Sequence, residues 1–401
     1  MRLRRKRVVT PNIGVKIVIV WLFWLSLSGL VYIYLGYPLM MRILAKVRPL
    51  QRQKTRPTDP SNPEHKVSVV IASYNDAPRL DVKLRDLLAS PQAQWIGEIL
   101  IGCDGSTDNT AEVLAALNDS RIRLFAFADR RGKPAVLNDL VPQCECPIVV
   151  FCDARQLLAF DAIPELLANF ADPQVGVVSG ELMFREQDDE STATRGISAY
   201  WRYEKMIRKA EARFRSVPGA TGALYAIRKS LFRPMPESTL LDDVVVPMNA
   251  IVQGFRCVFE RRAIAWDVPS STLEQEAVRK RRTIAGAAQL MLHHPRWLLP
   301  WVNPIWFEYV SHKLLRLASP LCLLTCLICH CLLLSEQPYL LLSIPHSFFY
   351  YSAIAGWWCQ RMGRPSQVFG VQLMFFTLNV TTVAALWDAA NNRFRVTWQR
   401  T

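Results

Sequence analysis

The 401-residue chain has no internal repeat and no low-complexity tract, which sets aside solenoids and fibrous arrays. It has six histidines and none falls in a motif, so histidine chemistry finds no support. Its ten cysteines do not follow the spacing of a disulfide framework or zinc module. Cys322, Cys326, Cys329 and Cys331 sit with His330 inside an apolar run, where small polarizable side chains packing in lipid explain them better than a metal does. Cys144 and Cys146 flank a turn and Cys152 ends an apolar strand, so all three read as structural thiols in a reducing compartment. Acids are the scarce charge, with 34 Asp and Glu against 48 Lys and Arg, a formal net charge of +14. Such an excess suits nucleic acid or an anionic membrane surface. Long apolar runs decide for the membrane and against a nucleic-acid partner. Those runs hold almost no acid, Asp388 apart, which argues against a transport or channel role.

The first apolar run, about residues 13–43, can cross a bilayer with tilt to spare. MRLRRKR at 1–7 resembles a signal-peptide start, but the run is too long and lacks a small-x-small cleavage site, so an uncleaved anchor over 1–45 is expected. Residues 46–66 form a basic, proline-rich linker near the headgroups. Polar, alternating sequence over 67–290 is the soluble domain. Residues 291–316 are aromatic, broken by Pro300 and Pro304, and carry His312, Lys313 and Arg316; they suggest an interfacial helix. Three spans over 317–390, near 317–334, 338–358 and 367–388, and a tail over 391–401 complete the chain. The basic loop QRMGR (360–364) and the Lys- and Arg-free loop 335–338 place the soluble domain in the cytoplasm of an integral inner or plasma membrane protein. MRLRRKR then falls outside, against the charge rule, unless the basic linker prevails or the first run is a re-entrant hairpin.

Four short apolar runs, VSVVIA (67–72), EILIGC (98–103), RIRLFAF (121–127) and PIVVFC (147–152), alternate with helical patterns near 78–89, 109–118, 133–140 and 161–170. That order predicts βαβ units: an α/β domain with a Rossmann-type, mostly parallel sheet. Ligands of such sheets bind beyond the carboxyl ends of the strands. Four polar clusters fall there: Ser73-Tyr74-Asn75-Asp76, Asp104 to Asn109, Arg131-Gly132-Lys133, and Asp153-Ala154-Arg155. A carboxylate such as Asp104 accepts from a base or ribose hydroxyl, Lys133 at a helix start neutralises phosphate, and Asp153 can hold ribose or a divalent ion beside a diphosphate. Each cluster alone could be a capped turn. Four at successive strand ends favour a ligand site.

VSVVIASYND, ILIGCDGSTDNT, RRGKPAVLND and VVFCDARQ resemble, in order and spacing, the donor half of family 2 glycosyltransferases. The resemblance continues through GATGALYAIRK (219–229), residues 240–267 and EAVRKRRTIAG (276–286), about 220 residues in all. The flanking spans and YVSHKLLRLASP (309–320) are similar to the membrane-bound branch, which includes cellulose, hyaluronan and poly-N-acetylglucosamine synthases. The resemblance implies a GT-A-like fold with membrane helices at both ends. It assigns donor binding to Tyr74, Asp76, Asp104, Lys133, Asp153 and Arg155, and the general base to Asp243 beside Asp242. Arg279, Arg282, Gly219 and Gly222 would meet the diphosphate or acceptor. Asp153 matches the first acid of a DxD element, but Arg155 replaces the second, leaving either a water-rich Mg or Mn ion on Asp153 or charge neutralisation by Arg155 itself. Thr283 stands where the family carries Trp after Arg282, which weakens the case for a long polymer.

Structural alternatives accompany these roles: a helix N-terminus attracts acids such as Asp242 and Asp243, and 279–282 can be a solvated basic stripe. Trp201, Tyr203 and Glu204 fit either acceptor stacking or core packing. The expected activity is inverting transfer of a hexosyl or N-acetylhexosaminyl group from a nucleotide-sugar donor, UDP by resemblance, to a lipid or glycan acceptor. Partner subunits for polysaccharide synthesis are expected if product is exported. Single-sugar transfer to a lipid would use the same pocket. A catalytically weak, sugar-nucleotide-binding scaffold is the alternative from another class.

Overall fold

The computed structural model describes residues 13–184, 192–268, 273–362, 366 and 368–391. The basic start at 1–7, part of the QRMGR loop and nearly all of the 391–401 tail lie outside them.

The chain begins with one helical rod over Ile13–Val47: α1 (Ile13–Val31), a π-helical turn (Tyr32–Gly36) and α2 (Tyr37–Val47). The hairpin alternative is therefore excluded. Pro38 explains the π turn. Its missing N–H frees the Tyr34 carbonyl, which accepts instead from the Tyr203 hydroxyl at 2.9 Å. Above the seam α1 is apolar and mostly exposed. Below it α2 is amphipathic and buries Tyr37, Met41 and Ala45 against Ile207 and Ala210.

The linker packs on the soluble domain. It straps across the domain, with the Leu50 N–H on the Arg213 carbonyl at 2.9 Å, and Lys54 2.6 Å from Glu165 and 2.8 Å from Glu260. Arg56 joins Glu165 as well. Its basic residues thus neutralise buried acids of the domain.

The domain runs β1 (Val67–Ser73), α3 (Ala77–Ala89), β2 (Ile96–Asp104), α4 (Thr110–Leu117), β3 (Ile122–Phe127), α5 (Lys133–Gln143), β4 (Ile148–Cys152), β5 (Leu157–Leu158), α6 (Ala162–Leu167), β6 (Val175–Phe184), α7 (Thr192–Phe214), β7 (Leu224–Arg228), α8 (Asp242–Val252), β8 (Arg256–Asp267) and α9 (Leu273–His293). One eight-stranded sheet has the order β3-β2-β1-β4-β7-β6-β8-β5. The first four strands are parallel, each reached through a helix, and β6 pairs parallel with β8. β7 is antiparallel to both β4 and β6, and β5 to β8, so the sheet is mixed, with a wholly parallel half. β1 is buried at every position because both sheet faces are covered. One core packs α5 and α8 on the sheet and the other packs α3 and α6. Gly102 lets α5 approach β2, since a Cβ there would collide with Val136.

After α9 the chain forms α10 (Trp306–Tyr309), a π turn (Val310–Leu314), a 3-10 turn (Leu315–Ala318) and α11 (Ser319–Leu333). A separate interfacial helix over 291–316 is thus replaced by a 3-10 turn at Pro295–Leu298, a prolyl break and the start of the next rod. α12 (Gln337–Arg361) and α13 (Gly370–Ala390) follow. Among the described residues three helices are long and apolar enough to cross a membrane: Ile13–Val47, Trp306–Leu333 and Gly370–Ala390. α12 has the length, but its Tyr, Ser, His and Trp residues lower its hydropathy. Lys16 meets Glu336 at 2.7 Å, so the start of α1 and the loop after α11 share the end of the bundle remote from the domain.

Candidate functional site

The first two clusters lock together at the ends of β1 and β2. Asn75, in left-handed conformation (φ 47°), accepts from the Thr107 N–H at 2.7 Å, and its own N–H donates to Ser106 Oγ at 3.1 Å. Asp108 accepts from the Ala77 N–H at the start of α3. Tyr74 lies under the Arg130 guanidinium, 3.7 Å from ring centroid to Cζ. Asp76 pairs at 3.6 Å with Arg79.

Asp104 is fully buried. Its two oxygens accept from the Arg131 N–H at 2.7 Å and the Gly132 N–H at 2.8 Å. It therefore fixes the loop that opens α5, a positioning task that the sequence does not announce. Gly105 (φ 68°) passes so close to this loop that a Cβ would lie 2.9 Å from the Arg130 nitrogen.

Lys133 stands at the first position of α5 and carries the third cluster into the fourth. Its Nζ lies 3.0 Å from Asp153 Oδ1 and 3.3 Å from Asp242 Oδ2. Burial opposes its charge, but Asp153 and Asp242 together hold it above the ordinary lysine value. The ammonium thus bridges β4 to α8 across the sheet centre. Tyr225, stacked on Phe151 and bonded to Asp242 at 3.5 Å, walls this chain from behind.

Asp242 and Asp243 begin α8, where unpaired N–H groups favour acids. Asp242 is buried and Asp243 half-buried. Burial, then the like charge of Asp242, push Asp243 up to about 6; Lys133, Lys313 and Arg208 pull the other way. The GATG loop closes over it. The Ala220 N–H donates to the Asp243 carbonyl at 2.6 Å, and a Cβ on Gly222 would lie 3.2 Å from Asp243 Oδ2. Gly219 (φ 131°) makes the bend. Arg208 of α7 holds the loop from outside, on Thr221 Oγ1 at 2.7 Å and the Ala220 carbonyl at 3.4 Å.

Arg155 turns toward β8, with Nη2 2.6 Å from Asp267, a carboxylate only 2% exposed that also accepts from Gln156 at 3.0 Å. The residue replacing the second DxD acid is thus engaged by an acid 112 positions away. Beneath it, fully buried Lys83 donates to the Gln156 carbonyl at 2.5 Å and braces the same turn.

Arg279 and Arg282 stand half-buried on α9. The contacts joining Asp153, Lys133 and Asp242 do not include them. Their neighbours face α13 and α7: Arg281 pairs with Asp388 at 2.6 Å, and Lys280 lies over the Tyr200 and Trp201 rings. Trp201 packs with Phe184 and α13, and Glu204 binds His312 and Arg316, so these α7 residues join the domain to the membrane helices. Burial raises the thiols of Cys144, Cys146 and Cys152, as structural thiols require. Among the described residues no three His, Cys, Asp or Glu side chains converge as a metal site. Sequence reasoning missed Lys83, Arg208, Tyr225 and Asp267, because each acts through a partner on another element.

Residues 63–286 match the glycosyltransferase like family 2, and the chain belongs to that family. Among its relatives are poly-beta-1,6-N-acetyl-D-glucosamine synthases. The Staphylococcus aureus (strain COL) protein is 24% identical over 231 residues, covering 56% of this chain and 55% of that one; the Staphylococcus epidermidis protein is 23% identical over 233 residues with the same coverage. The chain spans about half the length of the curated relatives it matches. The fold is also that of the mannosyltransferase PcManGT from Pyrobaculum calidifontis, whose structure is a complex with GDP-Man and Mn2+: the TM-score is 0.69 at 20% identity over 93% of this chain and 99% of that one.

Proposed function

We propose that the chain transfers a sugar from a nucleotide diphosphate donor to a hydroxyl of a lipid-linked or growing glycan acceptor at the membrane, with inversion. The observation that carries this reading is the run Asp153–Lys133–Asp242, continuing to the half-buried Asp243, across the strand ends of a family 2 domain. The Arg130–Tyr74 stack and the Asp104-pinned loop form the nucleoside side, and Lys133 meets the diphosphate. The acceptor oxygen attacks the anomeric carbon, the carbon–oxygen bond to the diphosphate breaks, and the nucleotide leaves with the electron pair. Asp243 takes the hydroxyl proton. Its raised affinity for protons suits a base working near neutral pH.

A divalent cation, when bound, would neutralise the donor diphosphate. The residues fit a weakly protein-bound ion: Asp153 offers one accessible carboxylate, while Arg155 is committed to Asp267. Phosphate oxygens and water would complete its shell. UDP is the expected carrier, from the family resemblance, with GDP the alternative that the mannosyltransferase suggests.

The test uses the full chain in membrane vesicles with a panel of UDP- and GDP-sugars, with Mg²⁺, Mn²⁺ or chelator. Nucleotide release with sugar passing to lipid or glycan is expected from the wild type, and Asp243→Asn should bind donor but lose transfer by about 10²-fold or more. Transfer by Asp243→Asn at the wild-type rate removes Asp243 as base. Nucleotide binding without turnover across the panel favours the scaffold.

A further inference from the structure

Among the described residues, two cations near Asp243 have no acid in contact with them. Arg208 spends its bonds on neutral oxygens, Thr221 Oγ1 and the Ala220 carbonyl. Lys313 makes no hydrogen bond or ion pair with any described residue. It is half-buried, in the π turn that leads into the membrane rod. The two glutamates whose charges reach Lys313 make their own contacts elsewhere. Glu204 binds His312 and Arg316, and Glu211 binds His312 at 2.8 Å and the Tyr37 hydroxyl at 2.5 Å. Tyr37, the two glutamates and His312 are buried, so this network is fixed and orients the Lys313 segment against α7.

Arg208 and Asp243 grip opposite sides of one loop, and the charges of Arg208 and Lys313 both reach Asp243. The donor's cation is Lys133, held from the sheet side by Asp153 and Asp242. Arg208 and Lys313 come from α7 and the membrane-entry rod, the side from which a lipid would arrive. Two partly desolvated cations that touch no acid and share Asp243 are better satisfied when a ligand supplies a further anion. A guanidinium and an ammonium together match a phosphate.

We propose that the acceptor sugar is joined to its lipid through a phosphate, and that Arg208 and Lys313 hold that phosphate while Asp243 meets the sugar hydroxyl. This rests on the transferase reading given above. It adds the acceptor's chemical class and two residues that select it. The same phosphate chemistry could instead belong to the leaving nucleotide, and the test separates the two.

The full chain in phosphatidylcholine vesicles is given two acceptors with the same sugar and the same prenyl tail, one linked through a diphosphate and one through a neutral glycosidic bond. The wild type should prefer the diphosphate-linked acceptor by about tenfold or more in kcat/KM, and Lys313→Gln and Arg208→Gln should each erase most of that preference. Lys313→Arg should restore it. Equal use of both acceptors by the wild type overturns the proposal and leaves sugar transfer standing. An equal loss on both acceptors in the variants also overturns it, because the cations then serve the leaving group or the fold. Thermal stabilisation by each lipid, read on wild type and variants, decides the matter even if no donor turns over: a shift from the diphosphate-linked lipid alone, lost in Lys313→Gln, supports the proposal, and equal shifts from both refute it. Absence of nucleotide release from any donor would count against the transferase reading alone.

Discussion

At the residue scale the site is a contest of charges around Asp243. Burial and Asp242 raise its proton affinity, and Lys133, Lys313 and Arg208 limit the rise to about 6. A base with a raised pKa is active above that value and lost below it. Transfer should therefore fall as pH drops through about 6, and Asp242→Asn, which removes the like charge, should move that limb to lower pH. A pH–rate profile of both proteins checks this; a limb that stays in place assigns the titration elsewhere. Arg155 makes a second case. Arg155→Asp would restore a DxD pattern but leave the 2%-exposed Asp267 carboxylate without its cation, at a cost of about 3 kcal/mol. Chemical denaturation of the two proteins measures it, and an unchanged stability would show the pair to be idle. The position of Asp153 was legible from the strand pattern. The engagement of Arg155 was not, because its partner lies 112 residues on and no local rule connects them.

At the scale of elements, the four strand–helix units and the clusters at their ends follow from alternation and turn chemistry, and they stand where the pattern puts them. The antiparallel β7 between β4 and β6 does not follow, since a short apolar strand carries no sign of its direction. Helix α7 was the least legible element. Its sequence leaves acceptor stacking and core packing equally open, and its faces are spent on α2, α13 and the π turn through Tyr203, Trp201, Glu204 and Glu211. Glu204→Gln strands the Arg316 guanidinium in a buried setting, and a loss of about 3 kcal/mol is expected, seen as a lower melting midpoint in detergent. A midpoint equal to wild type would mean that Arg316 finds another partner.

For the whole molecule, the Lys16–Glu336 contact sets the bundle's remote end opposite the catalytic domain. A cytoplasmic domain, where nucleotide sugars are made, requires that end to face outward. In a cysteine-free background, Ser335→Cys should react with an impermeant maleimide applied to intact cells, and Arg361→Cys should not. The reverse pattern would put the domain on the wrong side for its proposed donor. Hydropathy found the apolar rods, but the strapping of the linker over Glu165 and Glu260 was beyond it, because a basic stretch looks alike beside lipid headgroups and beside buried acids.

The π turn at Tyr32–Gly36 has a wider consequence. An α-helix turns by about 100° per residue, so the facing of everything below a seam is a matter of counting. With its wider turn, the rod presents Phe23 to the α11 helix and Tyr37 to Glu211. One residue more or fewer there would leave both halves helical and both apolar. It would still swing the lower half away from its partners, so the domain's azimuth on the membrane is written as an integer. Insertions and deletions, tolerated in most loops, should be barred from these five positions.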